Sequence, residues 1–151
     1  MNQTWSAAPI EVLLVEDNPG DVRLTREAMR EGKVATALSV VSDGVEAMAF
    51  LRHEGSYAGA PRPDLILLDL NLPRKDGREV LREVRDDPAL RDIPVVVVTA
   101  TEEERDIGRV HELEAACCVT KPVGLEEVVT VVRSIQFFGL TIVKLRADEA
   151  G

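Results

Sequence analysis

Several apolar runs of this chain end in a polar residue able to handle a metal ion or a phosphate. Glu16 and Asp17 follow Glu11–Val15, Asp69 follows Leu65–Leu68, Thr99 follows Val95–Val98, and Lys121 follows Cys117–Thr120. Carboxylates brought together repel, so Asp17 and Asp69 need a cation between them. Oxygen donors without histidine favour a hard ion, Mg²⁺. Glu16 would assist through a bound water, and a carbonyl oxygen of Asn71 would complete the protein's share of the ligands. Asp69 follows the central buried run and is the better nucleophile, because an aspartate can form an acyl phosphate; Asp17 would stay a metal ligand. Lys121 supplies a mobile positive charge for phosphoryl oxygens, and the Thr99 hydroxyl can donate a hydrogen bond to them.

Taken singly, a carboxylate after a strand is more often a helix cap, and a Lys-Pro step a turn. The combination is harder to assign to structure alone, because acid pair, lone aspartate, hydroxyl and lysine occur in order at the strand ends.

The elements that must position these residues are short. Besides the runs above, Ala37–Val41 reads as a strand, and most of the runs are continuously apolar, which suits parallel strands covered on both faces. Helical patterns lie between them at Pro19–Glu31, Gly44–His53, Gly77–Arg85, Glu102–Leu113 and Leu125–Gln136. In the first, Val22, Leu24, Thr25, Ala28 and Met29 recur at helical spacing. Strand and helix alternate throughout, which implies an α/β fold: a doubly wound parallel sheet of five strands in the order 2-1-3-4-5, with five helices. In such sheets a site lies beyond the carboxyl ends of the strands, where the polar residues fall. The segment Gly55–Pro63 reads as a surface loop only.

Composition bounds what this site can serve. The chain has 151 residues, enough for one domain with a buried core. Its 27 acidic against 18 basic residues give a net charge of -9, which repels nucleic acid and anionic membranes. No apolar stretch is long enough to span a bilayer, and the start lacks the pattern of a signal peptide, so the expected location is the cytoplasm. Adjacent cysteines rarely pair, so Cys117 and Cys118 are expected to be reduced. His53 and His111 lie on different predicted helices and are expected at the surface.

Val15-Glu16-Asp17-Asn18, Asp69-Leu70-Asn71-Leu72-Pro73 with Asp76-Gly77, Thr99-Ala100 and Lys121-Pro122 together resemble the receiver domain of two-component response regulators. The resemblance covers about residues 10 to 136, leaving residues 1–9 as a flexible tail and 137–151 as a C-terminal extension. It implies a single-domain regulator, flavodoxin-like in fold, that takes a phosphoryl group from a sensor histidine kinase on Asp69. It further implies that Asp17, Asp69 and Asn71 hold Mg²⁺ and that Thr99 and Lys121 relay the change. Such a protein is not an enzyme in the usual sense, since it catalyses only its own phosphorylation and dephosphorylation. Asp17-Asn18-Pro19-Gly20-Asp21 and Leu70–Gly77 also resemble the small regulators that accompany bacterial phytochromes, which implies a bacteriophytochrome kinase as partner.

The pattern departs from the family at Glu114, where glycine is usual, and at Cys118, where an aromatic is usual. Cysteine is too small to serve as a rotating aromatic gate, so coupling must rely on the loop after Thr99 and on repacking of helix 4. The extension begins with Phe137 and Phe138 and continues apolar to Leu145. With helix 4, strand 5 and helix 5 it is expected to form a homodimer interface, signalling by protein contact without direct DNA binding. A Mg²⁺-dependent aspartyl phosphatase is the chief rival reading, but it usually wants an acid two residues past the nucleophile, where this chain has Asn71.

Overall fold

A computed structural model of the chain describes residues 9–31, 36–99, 117–121 and 124. Strands β1 (Ile10–Val15), β2 (Thr36–Val41), β3 (Leu65–Asp69), β4 (Val95–Thr99) and β5 (Cys117–Thr120) alternate with helices α1 (Pro19–Glu31), α2 (Gly44–Leu51) and α3 (Gly77–Asp86). The strands form one parallel sheet in the order β2-β1-β3-β4-β5. The predicted fourth and fifth helices, Glu114, His111 and the C-terminal extension lie outside the described residues, as do the side chains of Cys117 and Cys118.

Every residue of β3 and β4 is buried, as continuous apolar runs in a sheet covered on both sides require. Side chains alternate between the faces. Leu13, Val15, Ile66, Leu68, Val95 and Val97 pack with Ala47, Met48, Phe50 and Leu51 of α2 and Val80, Leu81 and Val84 of α3. Val12, Leu14, Leu65, Leu67, Val96 and Val98 pack on the opposite face with Ala28 and Met29 of α1. Leu24, expected on the apolar stripe of α1, is instead 45% exposed, while Thr25 is buried.

Six boundaries differ from the sequence reading; β1 and β2 begin one residue earlier and α3 ends one residue later, and the other three bear on the site or the core. β3 and β4 each run one residue further, so Asp69 and Thr99 are themselves the last strand residues and inherit the rigidity of the sheet. α2 stops at Leu51 because His53 takes a left-handed backbone, φ 58°, at the exposed surface. The amide of Glu54 then returns to the Ala49 carbonyl at 2.9 Å. The segment Gly55–Pro63 is more than a surface loop: Gly55–Tyr57 forms a 3₁₀ turn. The Tyr57 ring lies 5.4 Å from that of Phe50, and its hydroxyl donates to Glu46 Oε1 at 2.9 Å.

α3 is anchored beside the site. Asp76 caps it in a capping box with Glu79, and the amide of Gly77 donates to the Leu70 carbonyl at 3.1 Å. No side chain fits at Gly77, since a Cβ there would fall on the Asp69 carbonyl oxygen. Glycine thus lets α3 begin directly against the strand that carries Asp69.

Candidate functional site

Parallel strands in this order deliver β1, β3 and β5 to the same edge of the sheet, and their carboxyl ends carry Glu16–Asp17, Asp69 and Lys121. Glu16 is fixed through its backbone, whose amide donates to the Val41 carbonyl at 3.0 Å, while its side chain accepts from the Asn18 amide at 3.1 Å. Asp69 accepts from the Asn71 amide at Oδ1, 2.9 Å, so the turn after β3 closes on its carboxylate. Lys121 is held by its own amide, which donates to the Thr99 carbonyl at 2.7 Å.

The side chains converge. Lys121 Nζ lies 2.9 Å from each of Glu16 Oε1, Asp21 Oδ2 and Asp69 Oδ2. Glu16 and Asp69 are nearly inaccessible, whereas Asp17 is exposed at the rim. Leu14, Thr25 and Val98 line the apolar floor of this small cleft.

Burial pushes the Glu16 carboxyl up to about 7; the hydrogen bond from Lys121 works against this, and the charge on Asp69 adds to it. Burial by itself would lower the Lys121 ammonium, yet the hydrogen bonds to Asp69, Glu16 and Asp21 outweigh it and hold the group above the ordinary lysine range. Lys121 therefore stays charged under all ordinary conditions.

Carboxylate oxygens of Glu16, Asp17 and Asp69 lie within 4.8 Å of one another. That spacing, with oxygen donors only and an open side at Asp17, fits a hard divalent cation that keeps part of its water shell. The chemistry of the donor set therefore agrees with Mg²⁺.

Of the residues singled out from sequence, Glu16, Asp17, Asp69 and Lys121 meet here. Asn71 adjoins through its backbone amide. Thr99 is fully buried at the end of β4, opposite Thr120 of β5. Asp21 was missed as a site residue. It reads as an acid in the first turn of a helix, where the dipole alone accounts for it, and only the fold brings it to Lys121.

The sequence profile of the response regulator receiver domain matches residues 12–133. The chain is 45% identical over 142 residues to the response regulator Rcp1 of Synechocystis sp., spanning 94% of this chain and 97% of that protein. Among solved structures it is similar to the phosphorylated cyanobacterial phytochrome response regulator RcpA, with 50% identity, a TM-score of 0.72, and 87% and 94% of the two chains covered. It is also similar to the Mn²⁺-bound form of Rcp1, with 45% identity, a TM-score of 0.71, and 87% and 95% covered.

Proposed function

The chain belongs to the response regulator receiver family, and on that premise we propose that it is a single-domain regulator that takes a phosphoryl group on Asp69 from a histidine kinase. The observation that carries this reading is the Lys121 ammonium, bonded at once to Asp69 and Glu16 beside a carboxylate cluster of metal-binding dimensions.

Mg²⁺ held by Asp17, Asp69, a carbonyl oxygen of Asn71 and, through water, Glu16 would neutralise charge as the phosphoryl group arrives. One carboxylate oxygen of Asp69 attacks phosphorus. The O–P bond forms as the P–N bond of the kinase phosphohistidine breaks, and the electron pair leaves with the imidazole nitrogen. Asp69 Oδ2 accepts from Lys121, so the ammonium is placed to pass from Asp69 to the phosphoryl oxygens as the donor enters. Positive charge then follows the developing negative charge.

The acyl phosphate is a new acceptor group at the end of β3. The Thr99 hydroxyl and the Lys121 ammonium bind it in one arrangement, which shifts the equilibrium toward a signalling conformation. With Cys118 in place of the usual aromatic, that shift is carried by the loop after Thr99 and by helix 4. RcpA is by name a cyanobacterial phytochrome response regulator and other similar structures are bacteriophytochrome response regulators, which supports a kinase of the bacteriophytochrome type. In the cytoplasm, residues 10–136 act as the receiver, and 137–151 join helix 4, strand 5 and helix 5 in a homodimer. Among the described residues no helix is long and apolar enough to cross a membrane.

Transfer of radiolabelled phosphate from a phosphorylated phytochrome-type kinase tests the reading. Label should pass to the native chain in Mg²⁺ and not to Asp69→Asn; equal labelling of both would reject it.

A further inference from the structure

An ammonium has three N–H donors. All of those on Lys121 are engaged, by Glu16, Asp21 and Asp69 at 2.9 Å each. Two of these partners, Glu16 and Asp69, also belong to the carboxylate cluster of metal-binding dimensions; Asp21 does not. The acids around Lys121 are therefore of two kinds. A divalent cation would be held by Glu16 and Asp69, and phosphorylation would convert the Asp69 carboxylate to an acyl phosphate whose negative charge lies on the phosphoryl oxygens.

We infer that Asp21 is a positioning residue for Lys121: it holds the ammonium in the cleft while the bonds to Glu16 and Asp69 are given up to the cation and the phosphoryl group. This rests on the phospho-acceptor reading for its purpose, but not for its geometry.

The placement of Asp21 supports the role. Its amide donates to Asn18 Oδ1 at 3.0 Å, which fixes the first turn of α1, and the Lys121 bond spans 100 residues of chain. Helix-dipole stabilisation would be satisfied by a carboxylate pointing to solvent. Instead this side chain is only 28% exposed and turned to the lysine. A lysine stem is flexible, and without an anchor its charge is spread over many rotamers. With Asp21 in place, the two N–H groups that now bond to Glu16 and Asp69 stay beside Asp69 and are available to phosphoryl oxygens there.

Amine-selective acylation of the full chain, with Lys121 modification followed by peptide mass mapping, tests this with and without Mg²⁺. In the native protein Lys121 should react slowly in both conditions, because Asp21 stays bound. In Asp21→Asn the rate at Lys121 should rise about tenfold in Mg²⁺, corresponding to about 1.4 kcal/mol of lost protection. Lys75, which pairs with Glu83 and with none of the cleft acids, serves as reference for the reagent. An unchanged melting temperature separates positioning from folding. Native Lys121 that becomes as reactive as the variant on adding Mg²⁺, or a variant no more reactive than native, would overturn the proposal. Acylation needs no phosphoryl donor. Failure of the native chain to take up phosphate from acetyl phosphate would reject the phospho-acceptor reading and leave the anchoring of Lys121 by Asp21 unaffected.

Discussion

Lys121 Nζ lies 2.9 Å from Asp69 Oδ2, joining residues 52 apart in the chain across the ends of β3 and β5. The contact links the proposed nucleophile to its counter-charge directly across β4, which lies between the two strands and ends in the buried Thr99.

Removing that cation leaves two buried acids facing each other. Lys121→Ala should destabilise the metal-free protein by about 1–3 kcal/mol, since Glu16 and Asp69 side chains are each only 4% exposed. Mg²⁺ should restore part of the loss by replacing the charge. Chemical denaturation in EDTA and in Mg²⁺ checks this, and equal losses in both would count against it.

Glu16 gives a pH dependence of definite sign. Its folded value is about 7 against an ordinary 4.5, so between these values the folded chain binds more protons than the unfolded one. Stability therefore falls as pH rises through this window, and the contribution is complete below the lower value. In EDTA the native protein should lose on the order of 1 kcal/mol or more between pH 5 and 8 relative to Glu16→Gln. Parallel denaturation profiles for the two proteins would contradict the assignment.

Gly77→Ala should damage the site although it replaces none of the residues that carry the site's functional groups. The added methyl would fall on the Asp69 carbonyl oxygen and 2.7 Å from Leu70 Cα, so β3 or the start of α3 must move. A loss of about 1–3 kcal/mol in a melt, with slower phosphate uptake, is expected; Arg82→Ala on the exposed face of α3 should change neither.

Truncation after Ser134 should convert a dimer to a folded monomer in light scattering, if the extension pairs two copies. A truncated chain that keeps the native mass would remove the extension from the interface.

The α/β architecture was legible because β3 and β4 are apolar without interruption and can only be interior strands. The carboxyl-end rule then brought Glu16, Asp17, Asp69 and Lys121 together before any geometry was known. What escaped the sequence depended on three-dimensional closeness. Asp21 looks like any first-turn helix acid until β5 sets Lys121 over it, and Tyr57 looks like loop until Phe50 and Glu46 are seen beneath it. The early end of α2 turns on one left-handed residue, His53, which no propensity favours strongly enough to foresee.

The central claim is that Asp69 accepts phosphate. Incubation with acetyl phosphate and Mg²⁺ followed by intact-mass measurement tests it most directly. The native chain should gain the mass of one phosphoryl group in Mg²⁺ and gain none in EDTA, while Asp69→Asn should gain none in either condition. No added mass in the native protein, or equal addition to the variant, would contradict phosphorylation at Asp69.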